Sequence, residues 1–287
     1  GGIEADLTVT RLAEDKYLVV TAAASQARDI NWIRRNLDDE AFVTIEDVTS
    51  AYGVLSVMGP NSRQLLSRLS STDFSSEAFQ FSTSQEIEIG YAKARAMRIT
   101  YVGELGWELY LPTEFSGPIF DLLMADGANL GLRLAGYHAL DSLRSEKGYR
   151  HWGHDITPAD TPLEAGLGFA VSFKKTTDFI GRAALERQKV NGLSRRLVHF
   201  LMDDPEPILL HDEPIFRNGD LAGMMTSGAF GYTLGRSVGI GYLDMPDGAD
   251  KAWIEEASYE IEIGGSQFAA KASARPFYDP ARERVKS

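Results

Sequence analysis

The chain of 287 residues has no cysteine. That excludes a disulfide framework and any thiolate metal site. It suits a reducing compartment, so a cytoplasmic location is expected. Basic charge is also in short supply: 29 Lys and Arg against 41 Asp and Glu give a formal charge of −12. Phosphate backbones need a basic surface, so nucleic acid is a poor partner, although a small anionic ligand in a local basic pocket is not excluded. No apolar run approaches the roughly 18 residues that read as a membrane span, and no signal peptide is visible. There is no low-complexity segment and no repeat at a fixed period. Phosphate-loop and dinucleotide fingerprints are missing too, since "GIGYLDMPDGAD" lacks the strand-to-helix context such a loop requires. No elbow motif supports a Ser-His-Asp triad.

What is present is an ordinary globular composition, 44% apolar and 24% charged, in a chain long enough for one large or two ordinary domains. The first residue is Gly1 and a strand pattern follows at once, so the sequence reads as the later part of a longer chain. "GGIEADLTVTRL" is a turn and a strand, with Leu7 and Val9 on one face and Asp6, Thr8 and Thr10 on the other. "KYLVVTAA" is its partner. Helical spacing at Ala27, Ile30, Ile33 and Leu37 predicts a helix capped by Ser25. "FVTIEDVT" and "GVLSVMG" read as strands, and "PNSRQLLSRL" as a helix capped by Asn61 or Ser62. "QEIEIG", "KARAMRITYV" and "WELYLP" are strands; "TEFSGPIFDLLMADGANLG" and "GYHALDSLRSEKGY" are helices. Strand pairs interleaved with helices predict an α+β fold with antiparallel sheets. Beyond "RQKVNGLSRR" the pattern changes to short strands around Asn-Gly and Gly-Gly turns with no helix between them, which predicts a small all-β barrel or sandwich. The expected division is therefore residues 1–190 and 191–287.

The stretch "YVGELGWELY", residues 101–110, packs three aromatic rings, two glycines and two carboxylates into ten positions. Period two sets Trp107 and Leu109 apart from Glu108 and Tyr110. It reads either as a hairpin whose Gly103 and Gly106 serve turn geometry, or as a binding wall. In the second case Tyr101 and Trp107 offer flat faces and Glu108 is a bidentate acceptor for adjacent N–H donors, with Glu104 solvated in the turn. Asp6 faces either a cleft or plain water, and burial would raise its pKa. His138, alone on a helix, is structural or contacts an anionic group. In "RSEKGYRHWGHD" the spacing of His151, His154 and Asp155 fits no dependable metal site, so the segment reads as an exposed or locally hydrogen-bonded polar turn. No metal is expected.

In their order along the chain, "GGIEADLTVTRL", "YVGELGWELY", "SLRSEKGYRHWGHDITPADTPLEAGLGFAV", "FIGRAALERQK", "GLSRRLVHF" and "TSGAFGYTLGRSVGIGYL" resemble the folate-binding aminomethyltransferase family of the glycine-cleavage T-protein. The resemblance is closer to the C-terminal folate domain of FAD-dependent sarcosine and dimethylglycine dehydrogenases. It covers nearly the whole chain. It implies a T-protein-like folate-binding domain, its N-terminal part missing, followed by a C-terminal β-barrel. It implies tetrahydrofolate as cofactor, with FAD confined to a missing N-terminal domain that is covalently linked in the full-length protein. Asp6 matches the family's aspartate beside the folate nitrogen that carries the one-carbon unit. Tyr101 and Glu108 match pocket residues, the glutamate binding the pterin. The implied reaction forms 5,10-methylene-tetrahydrofolate from an iminium or methylamine substrate. The alternatives are a non-catalytic folate-binding scaffold or regulatory protein, and a folate-dependent demethylase of another methylated substrate. One departure stands out. T-proteins carry Gly-x-Arg-Asp where this chain has His138-Ala139-Leu140-Asp141, so the arginine contact is lost or is supplied by His138.

Overall fold

The computed structural model describes residues 1–246 and 249–287. Asp247 and Gly248, in the stretch weighed above as a phosphate loop, lie outside the described residues. The chain forms two compact units: residues 7–136 with 281–287, and residues 1–6 with 137–280.

The first unit, the sheet unit, opens with β1 (Leu7–Arg11) and β2 (Tyr17–Thr21), an antiparallel hairpin with Val9 opposite Val19. Its threonine face is the more buried one, and Val9, Val19 and Tyr17 point to solvent. Helix α1 (Gln26–Arg35) follows; its buried Asp29 accepts a hydrogen bond from the Thr21 hydroxyl at 2.5 Å. Ser25 stands at the cap position, but its side chain makes no capping bond. The strand expected at residues 42–49 does not form. Asp47 there accepts from the Thr49 N–H (3.0 Å) and the Gln26 side-chain amide (2.6 Å). An aspartate that bonds the backbone two residues on offers the chain a turn in place of a ladder.

A four-stranded antiparallel sheet carries the rest of this unit: β3 (Tyr52–Met58), β4 (Ser84–Ile89), β5 (Ala92–Met97) and β6 (Gly106–Pro112), in the order β3-β6-β5-β4. One face is apolar. Val57, Ile87, Ile89, Ala94, Trp107 and Leu109 form a core with residues of α2 (Ser62–Leu69) and α3 (Ser116–Gly127). At about 25 cal/mol per Å² of apolar surface removed from water, burial of this face is the main stabilising term of the unit. β5 stops five residues earlier than the pattern suggested because Arg98 turns inward. It is 1% exposed, and its guanidinium donates to the Phe79 carbonyl at 2.6 Å.

The second unit, the barrel unit, contains α4 (Tyr137–Lys147), α5 (Arg182–Asn191) and a closed six-stranded barrel. The strands are β7 (Arg195–Met202), β8 (Pro214–Arg217), β9 (Asp220–Gly231), β10 (Arg236–Asp244), β11 (Tyr259–Ile263) and β12 (Ser266–Ser273), ordered β10-β7-β12-β11-β8-β9. Asn218-Gly219 joins β8 to β9 with both residues at positive φ (51° and 90°). That is the geometry of a two-residue hairpin turn whose twist suits the flanking strands. Contrary to expectation, a short helix, α6 (Lys251–Glu255), interrupts the strands, started by Asp250, whose side chain accepts from the Trp253 N–H. The last helix, α7 (Glu283–Lys286), belongs to the sheet unit, where the Ser287 carbonyl oxygen accepts from Arg63 (2.6 Å) and Arg98 (2.8 Å).

Candidate ligand-binding site

Alternation along β6 separates two kinds of residue. Trp107, Leu109 and Leu111 enter the core, while Glu108 and Tyr110 share the other face. Glu108 is half-buried, lying between the exposed Ser56 of β3 and the buried Met97 of β5. The Tyr110 hydroxyl donates to Glu108 Oε2 at 2.6 Å. Burial first, and then the hydrogen bond and charge of Glu108, hold the Tyr110 phenol well above its usual pKa of 10.0, so it remains a donor. The Thr10 hydroxyl lies 3.4 Å from the Met97 sulfur, which brings β1 to this same face. Gly106 is required here: a Cβ on it would meet the Met58 sulfur at 2.2 Å and the Val57 carbonyl oxygen at 2.5 Å. Gly103, at φ +75°, turns the loop before β6. Tyr101 is half-buried in that loop.

Two expectations need correction. Trp107 offers no flat face to a ligand, for it is fully buried. Its indole meets Phe74 and Phe79 edge-on (centroids 5.2 and 6.0 Å away), and the Arg98 guanidinium lies 5.6 Å from the ring. Period two already set Trp107 on the face opposite Glu108, so both cannot line one wall. Glu104 is half-buried rather than solvated.

Asp6 and His138 belong to the barrel unit. The chain just before Asp6 is tied down: the Ile3 N–H donates to the Asp160 carbonyl (2.9 Å), and the Trp152 indole donates to the Ile3 carbonyl (3.0 Å). Asp6 precedes β1 rather than lying on it, and its surface is open to water. Desolvation by the surrounding chain nonetheless raises its pKa above 3.8. The two facts are compatible for a carboxylate that water reaches from one side only. His138 is exposed in the first turn of α4. Leu140, at the family's arginine position, is half-buried, and the neighbouring Asp141 pairs with Arg144 at 2.6 Å.

The segment read as a polar turn proves to be a buried frame. Arg144 is 2% exposed and donates to Asp155 (2.7 Å), Asp141 (2.7 Å) and the Ser227 hydroxyl (3.0 Å). Asp155 also accepts from the Thr226 hydroxyl (2.6 Å) and the His151 N–H (2.8 Å). Buried Glu146 accepts from the Thr233 and Leu234 N–H groups of the β9–β10 turn, and Lys147 pairs with Asp279 at 2.7 Å. These bonds give the charges a structural role, although Glu146 Oε2 is buried without a hydrogen-bond partner among the described residues. Among the described residues, no group of three or more His, Cys, Asp or Glu side chains is placed to hold a metal ion. Sequence reasoning also passed over Tyr110; the signal was its two-residue spacing from Glu108 on a strand.

The GCVT N-terminal domain matches residues 1–175, and the glycine cleavage T-protein C-terminal barrel domain matches residues 195–279. The chain belongs to the glycine-cleavage T-protein family. It is 45% identical over 285 residues to the 4-methylaminobutanoate oxidase (formaldehyde-forming) of Paenarthrobacter nicotinovorans, covering 99% of this chain and 34% of that protein. It is 39% identical to the mitochondrial sarcosine dehydrogenase of Mus musculus, covering all of this chain and 33% of that protein. This T-protein-family chain thus spans about a third of the length of these two relatives. Among solved structures it matches the glycine cleavage system aminomethyltransferase T of Bartonella henselae with a TM-score of 0.80 at 27% identity, covering 97% of this chain and 73% of that one. Among the described residues, no helix is long and apolar enough to cross a membrane.

Proposed function

We propose that the chain binds a reduced folate and serves as the one-carbon transfer half of an N-methyl amine oxidoreductase of the sarcosine or dimethylglycine kind, with 5,10-methylene-tetrahydrofolate as product. The observation that carries this reading is Glu108. It is a half-buried carboxylate on the sheet face opposite the core, held by one hydroxyl and with acceptor capacity left over. A pterin edge presents adjacent N–H donors that match such a group. The names of the relatives, an oxidase that forms formaldehyde and a dehydrogenase of an N-methyl amine, agree with one-carbon chemistry.

The roles follow from the chemistry of each side chain. Glu108 accepts from the pterin, and the ring of Tyr101 packs on it. Trp107 acts from beneath by fixing β6. His138 contacts the anionic tail of the ligand. Asp6, whose raised proton affinity brings it closer to working pH, takes the proton from the folate nitrogen that accepts the one-carbon unit. A scaffold that merely binds folate has no use for that carboxylate. The flavin supplies the amine oxidation and belongs to a part of the polypeptide that this chain does not span. A cytoplasmic location is part of the same reading, and a chain without cysteine is compatible with it.

Titration calorimetry with 5-formyl-tetrahydrofolate tests the reading. One site per chain and a ligand-dependent rise in Tm are expected. No heat and no shift in Tm would overturn it. The purified chain is expected to be colourless, and stoichiometric bound flavin would overturn the placement of FAD.

A further inference from the structure

Glu108 and Tyr110 lie two residues apart on β6, on the same face, where side chains can lean along the strand and meet. The meeting is a short O–H···O bond of 2.6 Å to a carboxylate, the stronger charge-assisted kind. The two partners differ in freedom. Tyr110 is 4% exposed and pairs in register with Val54 on β3 and Arg95 on β5, so its buried ring has little freedom to move. Arg95 is itself engaged with the Ser84 hydroxyl at 3.2 Å. Glu108 is half-buried, and among the described residues its only hydrogen-bond partner is the Tyr110 hydroxyl. A glutamate has three rotatable bonds, and an untethered one must be ordered when a ligand binds. Here a rigid phenol holds one carboxylate oxygen before any ligand arrives. That oxygen keeps a second lone pair, and the other oxygen is free.

We infer that Tyr110 is a positioning residue which fixes the plane of the Glu108 carboxylate and so selects ligands carrying two adjacent N–H donors over ligands carrying one. The inference rests on the folate reading above and specifies how that site discriminates. Its elevated pKa keeps the phenol protonated across the physiological range, so the tether does not titrate away. The tether is a bond between side chains on one strand, and Tyr110→Phe removes it while leaving the ring, its burial and the sheet register in place.

The test compares two ligands on two proteins. Calorimetry is run with 5-formyl-tetrahydrofolate and with its analogue bearing a 2-methyl in place of the 2-amino group, which lacks one donor of the pair. The wild-type chain is expected to prefer the amino ligand by about 10–100-fold, the range for losing a hydrogen bond to a charged group. Tyr110→Phe is expected to narrow that preference about tenfold while affinity for the methyl analogue stays within about twofold, because a single donor does not need the fixed plane. A purely structural role for Tyr110 weakens both ligands equally and would overturn the inference. So would an undiminished preference in a folded Tyr110→Phe protein. Failure of the wild-type chain to bind either ligand overturns the folate reading, and the inference with it; normal wild-type binding with unchanged discrimination in the variant overturns the inference alone.

Discussion

Asp155 in the barrel unit and Glu108 in the sheet unit are both carboxylates held by a hydroxyl, at 2.6 Å in each case. There the likeness ends. The side chain of Asp155 is 0% exposed, and a guanidinium and a backbone N–H also bond to it. Glu108 has one hydroxyl and an open side. Charge density in the sequence points the wrong way: "RSEKGYRHWGHD" is the richer stretch, yet most of its charged groups are engaged inside the fold. Buried polar groups are hydrogen-bonded as a rule. What marks a recognition site is acceptor capacity that the fold leaves both unfilled and within reach of solvent, as at Glu108 and not at the buried Glu146 Oε2.

The comparison breaks hardest at Asp155. Asp155→Asn removes the fully buried one of two counter-charges from the Arg144 guanidinium and leaves Asp141 to hold it, so the loss should reach about 3 kcal/mol, the low end for a buried ion left unpaired. Urea unfolding should show that loss, while affinity for 5-formyl-tetrahydrofolate in the folded protein stays within about twofold. A stability loss below about 1 kcal/mol would mean that Asp155 is no part of the frame. Next in size is Asp6→Asn, measured in a complete flavin-bearing enzyme. It keeps size and most hydrogen bonding but removes basicity, so formation of methylene-tetrahydrofolate should fall about 10²-fold or more. Amine oxidation should continue, with free formaldehyde released. Initial rates with a formaldehyde trap exclude the uncatalysed condensation; a normal rate in the variant removes Asp6 from the mechanism.

Much of this contrast was readable in advance, and the part that was not has physical causes. Alternation and turn chemistry placed the strands of both units, since Asn218-Gly219 and the apolar faces of β3 and β6 follow local rules. The residues of the candidate site came from an ordered set of motifs. Burial was the illegible part. Lys147 and Glu146 look like surface charges on a helix, and only the packing of α4 against β9 and of the Asp279 segment reveals their partners, 87 to 132 residues away. Residues 42–49 carry a strand composition, but Asp47 overrides it by bonding to the backbone and to a glutamine 21 residues earlier.

Glu108→Gln is the mirror image of the Asp155 substitution. Nothing buried is left unpaired, because the amide carbonyl still accepts from Tyr110, so stability should change by less than about 0.5 kcal/mol. Folate affinity should drop by about 1.5–3 kcal/mol, the value of a charge-assisted hydrogen-bond pair. Glu104→Gln is the control, and it should weaken binding less, although Glu104 is itself half-buried. Equal losses in the two variants, by calorimetry, would erase the distinction between Glu108 and its neighbour.

The smallest effect per step separates the two units by pH. His199 of β7 is 3% exposed, and the backbone of Gly148 passes so close that a Cβ there would lie 2.2 Å from its ring. Burial first, then the charges of Arg150 and Arg196, push its pKa down from 6.5 to about 3. The folded barrel unit therefore keeps this imidazole neutral, while the unfolded chain protonates it near 6.5. Between those values the unfolded state binds more protons, so stability rises with pH. It is fully present above pH 6.5 and falls as the solution is acidified toward 3, by about 1.4 kcal/mol per pH unit from this group. Amide exchange at pH 7 and pH 5, corrected for intrinsic rates, should show β7 and β12 losing protection while β6 changes less. His199→Gln should flatten the pH dependence of β7, whatever its absolute stability. If β6 loses as much protection as β7, or if the variant keeps the slope, the buried imidazole is not the group that acid attacks.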